Sequence, residues 1–166
     1  KNINLYFPCV NQYPLYIQHV QEEIRQAVEG KVSGCVDNLE EELKQRNYQV
    51  SLTKHPVDLS LRPGVVKVNV PVDMTTSKNE ITQNYKSFTT SIRNPAYDLV
   101  FVAQEITSQE ARFCYFEYVG YNLLYPVFDI KLERFEDSTK IYSIKHIPSQ
   151  SVMNIAIRGC AFPAGI

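Results

Sequence analysis

Apolar side chains recur every three or four residues in two stretches of the chain, and each stretch predicts an amphipathic helix. The first stretch begins after Pro14 and extends to Arg46. Gly30 and Gly34 lie within it, and an unbroken helix would be about 50 Å long, so we expect a bend or two successive helices. The predicted apolar face consists of Val20, Ile24, Ala27, Val28, Val32, Cys35, Val36, Leu39 and Leu43.

The second helical stretch covers residues 94–119. Asn94 can cap its first turn, and Pro95 suits the first helical position, where no N–H is needed. Asp98 lies at the favourable end of the helix dipole. The predicted buried side consists of Leu99, Val102, Ala103, Ile106 and Phe113.

Between and after the helices the apolar period changes to two, which is typical of strands with one buried face. Four such segments precede the second helix, near 48–53, 57–61, 65–72 and 80–92, and three follow it, near 128–132, 142–144 and 153–157. Pro71 predicts an edge or a bulge. The alternation slips between Tyr85 and Phe88, which indicates another bulge.

A helix followed by about three meandering strands therefore occurs twice. This order predicts an α+β fold of two layers, in which a mostly antiparallel sheet of about 5–7 strands carries both helical segments on one face. At 166 residues, one domain covering 1–166 is expected. Residues 1–13 predict an irregular amino-terminal arm, either packed locally or paired with a sheet edge of another subunit.

Charge and composition limit the classes of partner that this protein could bind. The net charge of −1 gives no electrostatic field that would attract nucleic acid. No run of apolar residues is long enough to cross a bilayer. The first residue is Lys1 and not Met, from which we expect a processed or trimmed chain with a leader or anchor ahead of it. Any membrane attachment is expected through that preceding segment.

Four cysteines are candidates for disulfide bonds: Cys9, Cys35, Cys114 and Cys160. No two of them form a C-x-x-C pair, which disfavours zinc-ribbon and thioredoxin-type sites. An even number of widely spaced cysteines favours two disulfides in an oxidising compartment, with three possible pairings. The other interpretation is four small buried thiols in a reducing compartment.

Candidate catalytic groups are few. Glu110 and Glu117 fall near the apolar side of the second helix, where paired carboxylates could do acid–base work, although lysine or arginine partners at the sheet margin would make them structural. His146 shares a strand face with Tyr142 and Ile144. Phosphate-loop, dinucleotide, serine-hydrolase and zinc-protease motifs do not occur. The sequence therefore predicts no cofactor, no metal and no catalytic residue.

Aromatic residues cluster after the second helix. Their side chains could form an interaction surface or pack in the core where the helix meets the strands. The four tyrosines of this cluster are Tyr115, Tyr118, Tyr121 and Tyr125.

The order of segments resembles a known group of proteins. Residues 17–52, with the pair Cys35-Val36 on a helix that leads into a strand, residues 65–72 and the helix at 95–116 are similar to uncharacterised exported proteins of small-genome archaea. That resemblance implies a pilin-like amino-terminal leader or anchor, a surface-facing location and a domain that is not an enzyme. It assigns no functional residue.

From these observations we expect a non-catalytic extracytoplasmic domain, either a subunit of a cell-surface assembly or filament or an adhesion module. Its partners would be other protein subunits, including further copies of itself, at an extracellular or cell-surface location. The alternative is a small soluble enzyme or ligand-binding domain with a pocket between helix and sheet that uses Glu110, Glu117 or His146. A third expectation is recognition of peptides through an exposed strand edge.

Overall fold

The computed structural model describes residues 15–136 and 138–158, so the predicted arm at 1–13 lies outside the described residues. The described chain folds into three helices and seven strands, and every strand pair is antiparallel. In chain order these are α1 (Tyr16–Gln45), β1 (Gln49–Lys54), β2 (Asp58–Arg62), β3 (Val65–Lys78), β4 (Ile81–Arg93), α2 (Ala96–Phe113), α3 (Tyr118–Leu124), β5 (Phe128–Arg134), β6 (Thr139–His146) and β7 (Ser151–Arg158).

The α+β prediction is confirmed, with the strands divided between two sheets. Where the sequence predicts one domain, the chain forms two compact units, one for each helix and meander. The amino-terminal unit is Gln18–Arg93, and the carboxy-terminal unit takes in the other described residues, 15–17, 94–136 and 138–158. Each sheet stays separate because each meander has its own helix to cover its apolar face.

In the amino-terminal unit, α1 is one continuous helix of 30 residues, so the expectation of two successive helices is wrong. Gly30 and Gly34 lie inside it without ending it. Ion pairs one turn apart stabilise the helix on its exposed side, and Arg25 bonds both Glu22 and Glu29. Val36 packs with Val72 and Met74 of β3 to form the centre of this unit.

The sheet of this unit is a three-row meander. β1 and β2 both pair with the same edge of β3. The register of β2 on β3 is shifted by one residue relative to that of β1, so the two strands form one row that is interrupted around Pro56. Pro63 and Gly64 make the tight turn into β3, and Gly64 has a φ of 68°. β4 pairs with the other edge of β3.

A register shift between Pro71 and Met74 marks a bulge in the β3–β4 ladder. The prediction of a bulge at Pro71 is therefore confirmed, whereas an edge position is wrong, because β3 has partners on both sides. On β4 the shift falls between Tyr85 and Ser87, within the interval in which the sequence alternation slips.

In the carboxy-terminal unit, β5, β6 and β7 form a meander in that order. The predicted buried face of α2 is confirmed at Leu99, Val102, Ala103 and Ile106. These residues pack with Phe116, Ile130, Tyr142, Ile144 and Ile155 in a core of nine buried side chains.

The second helical stretch ends earlier than the sequence predicts. α2 stops at Phe113 because Cys114 adopts a left-handed conformation with φ 55°, and its N–H donates to the carbonyl of Glu110. α3 then begins at Tyr118 as a separate helix. Phe113, predicted to be buried, is exposed because it lies in the last turn of α2.

Candidate functional site

Glu110 lies in the core of the carboxy-terminal unit with 2% of its surface exposed. The Lys140 ammonium donates to both of its carboxylate oxygens, at 2.9 Å to Oε1 and 2.7 Å to Oε2. The Tyr142 hydroxyl also donates to Oε1. The third bond of Lys140 goes to the carbonyl of Cys114 at 2.6 Å. α2 and β6 are thereby joined by one charged network at the end of the helix.

This network is satisfied and mostly closed to solvent. The side chains of Lys140 and Glu110 are 16% and 1% exposed, and a buried ion pair of this kind is stable only when its remaining hydrogen bonds are made. Burial, together with the hydrogen bond to Glu110, raises the pKa of the Tyr142 hydroxyl far above its usual value. Tyr142 is therefore a neutral donor, and the arrangement fixes α2 on its sheet.

The other two candidate catalytic groups are bonded to different residues. Glu117 caps α3, where its carboxylate accepts from the Gly120 N–H at 3.2 Å and from the Tyr115 hydroxyl. These two bonds, that of Tyr115 first, lower the pKa of Glu117. His146 lies 2.8 Å from the Ser149 hydroxyl and packs against the Phe128 ring. The three residues named for the alternative enzymatic or ligand-binding function thus serve three separate local roles.

The cysteines also differ from one another. Cys35 is an exposed free thiol on α1, so it does not take part in the predicted pair of disulfides. Cys114 is disulfide-bonded. Its pairing stays a prediction, since Cys9 and Cys160 lie outside the described residues.

Two of the four candidate interface tyrosines pack inward. Tyr118 and Tyr121 lean on the core of the carboxy-terminal unit, and the Tyr121 ring lies 5.4 Å from that of buried Phe116. Tyr115 and Tyr125 are about half exposed. Core packing and surface exposure, which the sequence left as alternatives, therefore both occur within this cluster.

The outward side of α3 is apolar as well. We call this outward set the α3 surface; Leu123 and Leu124 are its most exposed members, at 80% and 77%. The sequence signal that could have found it is the absence of any charged residue from 118 to 127. The α3 surface consists of Val119, Leu123, Leu124, Tyr125 and Val127, all exposed.

The inward side of α3 is held by Asn122. Its side-chain amide donates to the Ile130 carbonyl and accepts from the Ile130 N–H, both at 3.0 Å. Ile130 lies on β5, whose other edge pairs with β6. Asn122 thus takes the place of a strand partner at the outer edge of β5 and fixes the orientation of α3.

Two shallow clefts border α1 in the amino-terminal unit. One, of about 190 Å³, is lined by Glu29, Ser33, Lys54 and His55 above five apolar side chains. Its charged groups are already paired, Lys54 with Asp37 at 2.7 Å and Glu29 with Arg25 at 2.8 Å. The second cleft, of about 250 Å³, lies where Leu39 and Leu43 face Tyr85 and Phe88.

Comparison with known protein families, curated proteins and solved structures finds no match for this chain. Within residues 15–136 and 138–158, no helix is long and apolar enough to cross a membrane. The same residues contain no cluster of three or more side chains suited to hold a metal ion.

Proposed function

We propose that this protein is a non-catalytic subunit of an extracytoplasmic, cell-surface assembly that contacts neighbouring subunits through the α3 surface. One observation carries the proposal: α3 is apolar on its inward and outward sides. A helix that is apolar all round belongs in a buried environment. In the described chain its outward side faces solvent, and a neighbouring subunit would supply the missing cover.

The chemistry of the α3 surface suits a protein partner. Exposed leucines next to tyrosine rings, without charges, are typical of the central part of a protein interface. Full burial of each leucine is worth about 1.5–3 kcal/mol. Asn122 holds α3 in place before binding, which lowers the entropy lost on association.

The extracytoplasmic part of the proposal is supported by the disulfide-bonded state of Cys114 and by the resemblance to exported archaeal proteins. Disulfides persist in oxidising compartments and are rare in the cytosol. Alkylation of native material without reductant, followed by intact mass, tests this location. Four reactive thiols per chain would contradict it.

The assembly role is tested with the paired substitution Leu123→Asp and Leu124→Asp. We expect the native chain to form oligomers in light scattering coupled to size-exclusion chromatography, and the variant to form smaller species, because carboxylates would have to be desolvated in the interface. Val152→Asp is the matched control, since Val152 is also apolar and 52% exposed but lies on β7. Oligomers of unchanged size in the paired variant, or a monomeric native chain, would overturn the proposal.

A further inference from the structure

β4 is a long and open sheet edge. It has 13 residues, all exposed except the half-buried Phe88, and among the described strands it pairs only with β3. The opposite edge of the same sheet is interrupted at Pro56 between β1 and β2. β4 contains neither proline nor glycine, so its backbone is available to another strand along most of its length.

The usual electrostatic protection of an edge is weak here. β4 contains two charged residues, Lys86 near its centre and Arg93 at its end. Lys86 is neutralised within its own sheet, because its ammonium lies 2.7 Å from the Asp73 carboxylate. His55 contacts the same carboxylate at 2.9 Å. A like strand could therefore approach the centre of β4 without meeting an uncompensated charge.

The bulge divides β4 into two halves. In the first half the odd-numbered side chains face α1, and in the second half the even-numbered ones do. Tyr85 pairs with buried Met74, and Phe88 pairs with Val70, so both face the side that α1 covers. Their rings lie 6.1 Å apart, which agrees with a shared face. By the same register, the α1-facing residues of β4 are Ile81, Gln83, Tyr85, Phe88, Thr90 and Ile92.

This set of positions is symmetric about the point between Lys86 and Ser87. Two copies of β4 running antiparallel about that point would place Ile81 opposite Ile92 and Tyr85 opposite Phe88. In a strand with unbroken alternation, residues 85 and 88 would face opposite sides, so the bulge is what makes the match possible. Cross-strand pairs of apolar and aromatic side chains on one face are the stabilising unit of a sheet.

We propose that two copies of this chain associate through β4, antiparallel and about a two-fold axis between Lys86 and Ser87, so that their amino-terminal sheets become one. This inference rests on the proposed assembly role and names one of its contacts, with a second copy as the partner. An isologous two-fold contact of this kind is the commonest form of association between identical chains.

Charge and uncovered apolar surface both favour the same pairing. It brings Glu80, in the turn before β4, opposite Arg93 of the other copy, so opposite charges meet at both ends. On the α1-facing side, Ile81 and Ile92 are 67% and 54% exposed, and the cleft of about 250 Å³ beside Tyr85 is open. A second copy adds a strand next to this uncovered strip.

The register predicts which substitutions can form a disulfide between copies. Thr82 and Ser91 lie opposite each other across the axis, on the face away from α1. Directly opposite residues in antiparallel strands have Cα atoms about 4.5–5.5 Å apart, which a disulfide can bridge. Within one copy the two residues are about 30 Å apart along the strand, so any disulfide between them is intermolecular.

The experiment uses the full chain with Cys35→Ser, to remove the exposed free thiol, and with Thr82→Cys and Ser91→Cys together. After mild oxidation we expect a covalent species of twice the chain mass that reductant converts back. Each single substitution and the shifted pair Thr82→Cys with Thr89→Cys are controls that should form no covalent dimer. Absence of the covalent dimer in the Thr82→Cys/Ser91→Cys chain, or equal cross-linking of the shifted pair, would overturn the inference.

Failure of this contact and failure of the proposed function give different results. If the paired cysteines do not cross-link while the native chain is oligomeric, the β4 contact is wrong and the assembly role stands. A native chain that is monomeric and does not cross-link removes both. Cross-linking that persists with Leu123→Asp and Leu124→Asp would show that β4 pairs independently of the α3 surface.

Discussion

The two units of this protein share a plan, a helix followed by a three-row antiparallel meander. They differ in the size of the buried core and in how far an edge strand is covered, and we call the carboxy-terminal unit closed and the amino-terminal unit open. The carboxy-terminal unit has nine side chains in its buried core, a satisfied ion pair inside it and an edge strand sealed by Asn122. The buried cluster under α1 has three, Val36, Val72 and Met74, and β4 beside it is almost fully exposed. The short helix α3 makes the difference, because it supplies Asn122 to the edge of β5.

The comparison teaches that one local pattern can end in a closed unit or in an open one. In the carboxy-terminal unit, exposed apolar side chains lie on α3, where Leu123 and Leu124 face solvent. In the amino-terminal unit, exposed apolar side chains lie on the sheet, at Ile81 and Ile92 of β4. Each unit therefore carries exposed apolar side chains on a named element, α3 or β4, and these two elements serve as the proposed contacts.

The largest expected effect comes from breaking the ion pair of the closed unit. Glu110→Gln leaves the Lys140 ammonium without its counter-charge in a mostly buried site, which should destabilise the unit by about 3–5 kcal/mol. Urea denaturation measures the loss, and hydrogen exchange should place it in α2 and β5–β7. The control Glu105→Gln, on the more exposed side of the same helix, should change stability by at most about 0.5 kcal/mol. An equally small effect of Glu110→Gln would contradict the importance of the pair.

A smaller effect is expected from opening the sealed edge. Asn122→Ala leaves the N–H and carbonyl of buried Ile130 without their partner, at a cost of about 1–3 kcal/mol. Exchange of the Ile130 amide should become faster, and β5 should approach the behaviour of β4. Asn154→Ala, on exposed β7, is the control and should leave that amide unchanged. Unchanged protection of Ile130 in Asn122→Ala would show that the edge is closed by other means.

The smallest effects on stability are expected from changes of pH, to which the two units should respond differently. Since the pKa of Tyr142 is raised in the fold, its contribution to the closed unit is present below its unfolded value of 10.0 and is lost as pH rises above it. The pKa of Asp73 is lowered by the Lys86 and His55 bonds, so its contribution to the open unit is present above 3.8 and falls as pH drops toward the folded value.

Hydrogen exchange at high and low pH measures these two trends. We expect alkali to weaken the carboxy-terminal unit first and acid to act on the amino-terminal unit through Asp73. Tyr142→Phe and Asp73→Asn are the matched variants, and each should flatten only its own part of the profile. A Tyr142→Phe chain that keeps the full alkaline loss would contradict the assignment.

Sequence reasoning was most successful where a property depends on neighbours along the chain. The buried residues of α2 were predicted from their spacing, and the slip in β4 was predicted from the phase change between Tyr85 and Phe88. It failed at Phe113, because no pattern in the sequence showed that Cys114 would adopt φ 55° and end the helix. It also expected a bend or two successive helices at Gly30 and Gly34, and α1 is one continuous helix, because glycine lowers helix stability by only about 1 kcal/mol.

The sequence by itself determined the order and type of the elements other than α3, since periods of 3.6 and 2 follow from local backbone geometry. It also placed Glu110 near the core. Only the tertiary structure decided that Lys140 and Tyr142 meet that carboxylate, that Asn122 seals β5 and that β4 has no second partner in the described chain. The physical reason is that these contacts join residues far apart along the chain or leave an edge open, and both depend on how the strands return beside one another.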